Sequence, residues 1–323
     1  MKQDPWEKLL GNEEIKKQCR ILLERGEFTW PLLFFGREGI GKKQFALLLA
    51  REILTKSSSH PSFDCHLFSP EGENGLYTME QMHRIQREVF LPPYCSERKV
   101  CIFDQLHCIP ELHANTLLKL FEEPPAHTVL ISISSSLFTL PPTLLSRLLI
   151  LSFRPLSIRE IQGELQRRYP SLPISELSLI ATLAQGSLQE ALWWATSTGI
   201  HLRKQLFSLI EREAEGHYPS VRKIACQWER AEFDGQKEEF VQMLSSLLCW
   251  IYRELSFPQR EKVNEIPLQR REKRPSLSLS ALKELTQEMI LAAKSSIKLS
   301  HCIEHFFLRY SYLVAYREQS PRM

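Results

Sequence analysis

The sequence predicts an α/β protein: a parallel sheet covered by helices in its first half, followed by an all-helical remainder. Two observations carry this. Short apolar runs alternate with amphipathic stretches of helical period up to about residue 155, the pattern of a parallel sheet buried on both faces. A glycine-rich turn, Gly36-Arg37-Glu38-Gly39-Ile40-Gly41-Lys42-Lys43, stands between the apolar run Pro31–Phe35 and the helical run Gln44–Ala50. Strand, turn and helix in that order form the context of a phosphate-binding loop.

In chain order, the expected strands are Leu32–Phe35, Phe63–Phe68, Lys99–Phe103, Thr128–Ser134 and Leu148–Phe153. Each is a short strand candidate in the alternation with amphipathic helices. Helices are expected near Glu13–Glu24, Lys43–Leu54, Thr78–Phe90 and Leu112–Phe121. After Arg154-Pro155-Leu156 the strand signal stops. Ser157 with Glu160 three residues on forms a capping box, opening a helix over 157–168. A second is expected over 174–185, and Gly186-Ser187 opens a third to about Ala195. Helical periodicity then covers roughly 200–315, broken by a polar stretch from Phe257 to Ser280 that reads as a solvated loop. The organisation expected is 1–155, 156–199 and 200–323.

Bulk properties exclude several classes. A hydrophobic fraction of 43% with 24% charged residues is that of a globular protein, and a formal charge of +3 over 323 residues announces no general nucleic-acid affinity. Eight cysteines lie scattered without C-x-x-C pairing, so reduced thiols are expected rather than a disulfide framework. No apolar signal segment opens the chain and no run reaches membrane-spanning length. A cytoplasmic protein with no membrane role is expected.

The chemistry lies in the loop and in the strand Lys99–Phe103. Gly36, Gly39 and Gly41 let backbone N–H groups converge on phosphate oxygens, and Lys42 reaches the outer phosphates. The next position ordinarily offers a Ser or Thr hydroxyl to Mg²⁺. Here it is Lys43, whose ammonium has no lone pair for a metal. The strand Lys99–Phe103 ends in Asp104, the acid that helps hold Mg²⁺ in P-loop proteins. The following residue is Gln105 where hydrolases place a Glu, and an amide accepts no proton at neutral pH. Without the loop, Asp104 would read simply as a helix cap.

Two later stretches carry a family resemblance. Ala114-Asn115-Thr116-Leu117-Leu118-Lys119-Leu120-Phe121-Glu122-Glu123-Pro124-Pro125 closely resembles the N-A-L-L-K-x-L-E-E-P-P signature of bacterial clamp-loader subunits. Leu140-Pro141-Pro142-Thr143-Leu144-Leu145-Ser146-Arg147-Leu148 resembles that family's L-P-x-T-I-x-S-R-C segment. The order of motifs spans about half the chain. The resemblance implies a RecA-like AAA+ domain, a small helical lid and a helical collar, to whose last helix the segment Ile297–Leu308 is similar. It also implies that Arg147 is an arginine finger reaching a neighbouring subunit's ATP, although spacing alone leaves it a surface residue in an ion pair. Ser134 falls at the sensor-1 position, and Gln189 stands where the sensor-2 segment of the motor subunit carries Arg.

Lys43, Gln105 and Gln189 depart from the motor pattern in the same direction. The chain thus resembles the delta-prime class of clamp-loader subunits of DNA polymerase III more than the gamma/tau motor class. The partners implied are gamma/tau and delta subunits, with the sliding clamp and primed DNA through the assembled loader. ATP or ADP at the degenerate site is left open. No zinc is expected, because the region after the P-loop helix offers only Cys65 where four ligands are needed. A gamma/tau-type ATPase, a P-loop phosphotransferase and an AAA+ initiator are the alternatives. The second lacks a hydroxyl beside Lys42, and no helix-turn-helix supports the third.

Overall fold

The computed structural model describes residues 4–204 except 27, 29, 56–60, 73, 74 and 202, together with residues 284, 288, 305 and 309. The expected collar, including the segment Ile297–Leu308 and the polar stretch Phe257–Ser280, lies outside the described residues apart from those four positions.

Five strands form one parallel sheet: β1 (Leu32–Phe35), β2 (Cys65–Phe68), β3 (Lys99–Phe103), β4 (Thr128–Ser134) and β5 (Leu149–Ser152), in the order β2-β3-β4-β1-β5. The helices between them are α1 (Glu13–Arg25), α2 (Lys42–Thr55), α3 (Met79–Phe90), α4 (Glu111–Glu122) and the single turn α5 (Pro142–Leu145). Further along come α6 (Ile158–Arg168), α7 (Ile174–Leu183) and α8 (Leu188–Trp194). This is the α/β, parallel-sheet architecture that the sequence predicts.

Strand alternation explains why both faces are covered. Leu32 and Phe34 pack with Val100, Ile102, Val129 and Ile131 against Ile15 and Cys19 of α1 and Phe45, Leu49 and Ile53 of α2. Leu33 faces the other way, with Cys101, Phe103 and Leu130, against Met82, Ile85 and Val89 of α3 and Leu117, Leu120 and Phe121 of α4. Every residue of β3 and β4 is buried, which is why those runs read as continuously apolar or small.

Strand β2 begins two residues later than the apolar run suggests, because Pro61–Asp64 forms a 3-10 turn. Asp64 is the reason. Its buried carboxylate accepts backbone N–H groups of Tyr94 (2.5 Å), Cys95 (2.9 Å) and Ser96 (2.7 Å). Burial alone would raise its pKa, but these hydrogen bonds win and hold it far below the usual carboxylate range. The capping box forms as expected: Glu160 Oε2 accepts the Ser157 N–H at 2.7 Å, and Ser157 Oγ accepts the Glu160 N–H at 3.3 Å. Burial pushes the thiols of Cys19 and Cys101 up to about 12.

The chain divides into two compact units, Met1–Ile161 with Gln185–Gln189, and Gln162–Ala184 with Glu190–Met323. In the described part of the second, Leu165, Leu177, Ile180, Leu183 and Trp194 are buried, and the buried Arg203 is paired with Glu176. No described helix is long and apolar enough to cross a membrane.

Candidate functional site

Parallel topology brings the carboxyl ends of β1, β4 and β3 side by side, the edge where α/β sheets bind ligands. The loop after β1 leaves the sheet at Gly36, whose N–H donates to Ser134 O at 3.2 Å. Gly36 has φ 153°, and a Cβ there would lie 2.8 Å from Phe153 O. Gly39 has φ 75°, and its missing Cβ would strike Ser187 Oγ at 2.1 Å. Only glycine fits either place. The segment Gln185–Gln189 is laid on the loop: Gln189 N–H donates to Gly39 O at 3.1 Å, and Arg37 donates to Gln185 O at 3.1 Å. Gly41, with φ 96°, leads into α2, where Gly41 O accepts the Phe45 N–H at 3.1 Å.

The predicted loop residues therefore converge, and so does Asp104. Lys42 is buried and its ammonium donates to two carbonyls of its own loop, Gly36 O at 2.5 Å and Arg37 O at 2.6 Å. Burial pushes its pKa down from 10.5 to about 8, against the upward pull of Glu38 and Asp104. Lys43 Nζ lies 2.9 Å from Asp104 Oδ2. The off-pattern lysine thus pairs with the acid that P-loop proteins use for their metal. Asp104 Oδ1 accepts the Gln105 N–H at 3.0 Å. With one oxygen on an ammonium, the other on an amide and no hydroxyl after Lys42, this donor set does not fit Mg²⁺.

The remaining positions are turned to local work. Ser134 Oγ donates to Ser136 O at 2.6 Å and accepts the Ser136 N–H at 3.2 Å, so the Ser134 hydroxyl closes its own turn. Gln105 holds a left-handed conformation, φ 50° and ψ 50°, and its side chain accepts the Cys108 thiol at 3.7 Å. A non-glycine residue there costs roughly 1–2 kcal/mol. Next to it, Ser135 Oγ stands 3.0 Å from His107 Nε2 and donates to Glu38 Oε1 at 3.2 Å. Glu38 approaches the same ring nitrogen, at 3.8 Å. The Ser135 N–H donates to the other ring nitrogen, His107 Nδ1, at 3.4 Å, so Ser135 and Glu38 together hold the ring as a loop clasp.

Tyr77 escapes the sequence reading. Its hydroxyl, buried at the end of β3, lies 2.5 Å from Asp104 O and 2.9 Å from Phe68 O. Burial, then the Asp104 charge, keeps the phenol protonated. It ties the ends of β2 and β3 together and fixes where Asp104 begins. The signal available was only a Tyr between a glycine turn and Thr78, the residue that caps α3 by accepting the Gln81 N–H.

Arg147 lies away from this cluster, just after α5. Its guanidinium pairs with Glu122 Oε1 at 2.6 Å, at the end of α4, and donates to Thr143 O at 2.5 Å. Both members of the pair are partly exposed, Arg147 at 34% and Glu122 at 42%. Ser146 Oγ, 3.3 Å from the guanidinium, itself donates to Thr143 O.

Comparison with known proteins bears on the same half of the chain. Residues 11–157 match the protein family described as DNA polymerase III, delta subunit. DNA polymerase III subunit gamma of Buchnera aphidicola subsp. Baizongia pistaciae (strain Bp) is 31% identical over 190 residues, 53% of this chain and 50% of that one. DNA polymerase III subunit tau of Bacillus subtilis (strain 168) is 26% identical over 207 residues, 58% of this chain and 36% of that one. The Escherichia coli (strain K12) tau subunit is 27% identical over 205 residues, 57% of this chain and 31% of that one. This chain thus spans about half the length of that gamma relative and about a third of the tau relatives. Among solved structures, a DNA polymerase III gamma subunit-related protein from Thermotoga maritima has a TM-score of 0.47 at 16% identity, over 94% of this chain and 100% of that one. The match of residues 11–157 together with the gamma and tau relatives supports the clamp-loader family of DNA polymerase III, with no distinction between its delta-prime and gamma/tau classes.

Proposed function

We propose that this chain is a delta-prime-type clamp-loader subunit: a non-hydrolysing AAA+ member of the replicative DNA polymerase III assembly that lends Arg147 to a neighbour's ATP site. The observation that carries the reading is the Lys43–Asp104 ion pair. Where a motor subunit holds a metal between a hydroxyl and a carboxylate, this chain has a lysine on that carboxylate, and Gln105 replaces the acid that would polarise water. Catalysis is then in trans. A guanidinium placed at a neighbour's γ-phosphate spreads bidentate hydrogen bonds over the charge that develops there. The lid over 156–199 and the collar over 200–323 hold the subunit in a hetero-oligomer with gamma/tau and delta. The sliding clamp and primed DNA are met through the whole loader, in the cytoplasm.

The test is reconstitution with gamma/tau and delta subunits. Arg147→Ala is expected to leave assembly intact and to lower DNA-stimulated ATP turnover, since trans arginine fingers contribute about 10³–10⁵ in rate where they serve the hydrolysing site. Unchanged turnover in an assembled loader removes the finger assignment.

A second reading, a gamma/tau-type motor, is favoured by the names of the relatives. Purified chain that hydrolyses ATP faster than its Lys42→Ala variant would establish it in place of the first.

A further inference from the structure

The P-loop edge is built for an anion and closed to a divalent cation by one substitution. We infer that the Lys43 ammonium takes the part of the metal ion, so that this loop binds the polyphosphate of a nucleotide as the metal-free anion and disfavours its Mg²⁺ complex. The geometry rests on three facts. Lys43 Nζ sits 2.9 Å from Asp104 Oδ2, where it neutralises the carboxylate that would otherwise attract a cation. Lys43 is 42% exposed while Asp104 is 14% exposed, so the ammonium still faces outward with N–H donors to spare for phosphate oxygens. The loop keeps the rest of its anion-binding parts: positive φ at Gly36, Gly39 and Gly41, a helix beginning at Lys42, and the Lys42 ammonium itself.

In the free chain, Lys42 is held by Gly36 O and Arg37 O. A polyphosphate entering the loop offers it charged oxygens in exchange for neutral carbonyls, the stronger hydrogen bond. Lys43 adds a second ammonium from the Asp104 side. A metal-free polyphosphate is thus met by two lysines and the loop's N–H groups. An Mg²⁺-laden one brings a divalent cation against Lys43, with no hydroxyl to ligate it. The inference depends on the loop geometry of the isolated chain and not on the loader reading. It can therefore fail while the loader reading stands, and the reverse.

The experiment is titration calorimetry of the full chain with ATP and with inorganic tripolyphosphate, each in EDTA and in excess Mg²⁺. The expected result is binding in EDTA that Mg²⁺ weakens, by about tenfold for a charge pair of this kind. Lys43→Ser restores the hydroxyl and frees Asp104, so the order should invert, with Mg²⁺ tightening ATP binding. Lys42→Ala should abolish binding in both conditions. Tripolyphosphate binding as ATP does supports a site that reads phosphate alone; ATP binding without it supports one that also reads the nucleoside. Wild-type chain that binds MgATP more tightly than metal-free ATP, or that binds neither ligand in either condition, overturns the inference. The wild-type comparison decides even where Lys43→Ser does not fold.

Discussion

The two ends of the first unit treat their charged groups in opposite ways. At the P-loop, Lys42 is buried on its own loop's carbonyls, Asp104 is mostly buried and paired with the partly exposed Lys43, Ser134 bonds Ser136, and Gln189 meets Gly39 through its backbone. At the other end, Arg147 is held by a single half-exposed carboxylate and two oxygens of its own turn. An exposed ion pair contributes only about 0–1 kcal/mol, so Arg147 can leave Glu122 for a phosphate at little cost. Lys42, Asp104 and Ser134 are bound into the fold, and Lys43 alone of these loop-end groups stays partly exposed. One end has been turned inward; the other keeps a cation that can be exchanged.

The largest effect expected from this contrast concerns Lys42. Its pKa is about 8 in the folded chain against 10.5 ordinarily. Below pH 8 both folded and unfolded states carry the proton, and folding bears the full cost of burying the charge. Between about 8 and 10.5 the unfolded state alone retains it, so stability rises with pH across that window. Relative to Lys42→Met, wild type should gain on the order of 3 kcal/mol from the bottom of the window to the top, read from urea unfolding at a series of pH values. Parallel curves for the two proteins would mean that the loop does not bury a charged Lys42, and the inward-turned half of the comparison would break.

Tyr77→Phe is the next largest. The single hydroxyl proton lies between Asp104 O and Phe68 O inside the protein; Phe68 O also accepts the Asp104 N–H at 2.8 Å, so removing the hydroxyl takes the donor from Asp104 O, at about 1–3 kcal/mol. Urea unfolding reads the loss. If Tyr77 positions Asp104, the same variant should also blunt the effect of Mg²⁺ on ATP binding; a stability loss with that effect intact would reduce it to a packing residue.

How much of this is legible in the residues alone varies with the length over which the cause acts. Strands β1, β3 and β4 are legible to the residue because they are buried on both faces and bounded by Gly, Pro or polar turns. Strand β2 reads two residues too long, since Asp64 is drawn into a turn by N–H groups thirty residues away. The one-turn helix α5 is hidden within a motif dominated by Pro141 and Pro142. Motif positions place Gly36, Gly39, Gly41, Lys42 and Asp104 together, because strand, loop and helix spacing is local physics. Their pairings are not legible. Nothing in the order of residues says that Lys43 meets Asp104, that Arg147 meets Glu122, or that Ser134 bends back on Ser136; those pairings depend on which strand ends lie side by side.

The smallest effect expected on stability is the most discriminating at the exposed end. Glu122→Gln removes the negative charge facing Arg147 while keeping a similar shape and a hydrogen-bonding carbonyl. Because both partners are partly exposed, the stability change should be within about 0.5 kcal/mol in thermal unfolding. The effect in a reconstituted loader should be of another kind. With Glu122 neutral, Arg147 is released from a competing anion, and the apparent affinity of the neighbouring site for ATP should tighten by a small factor, while Arg147→Ala weakens it. A Glu122→Gln loader that loses turnover to the same extent as Arg147→Ala would show instead that the carboxylate aims the guanidinium. The exchangeable cation would then be a fixed one, and the contrast between the two ends would narrow to a difference in burial.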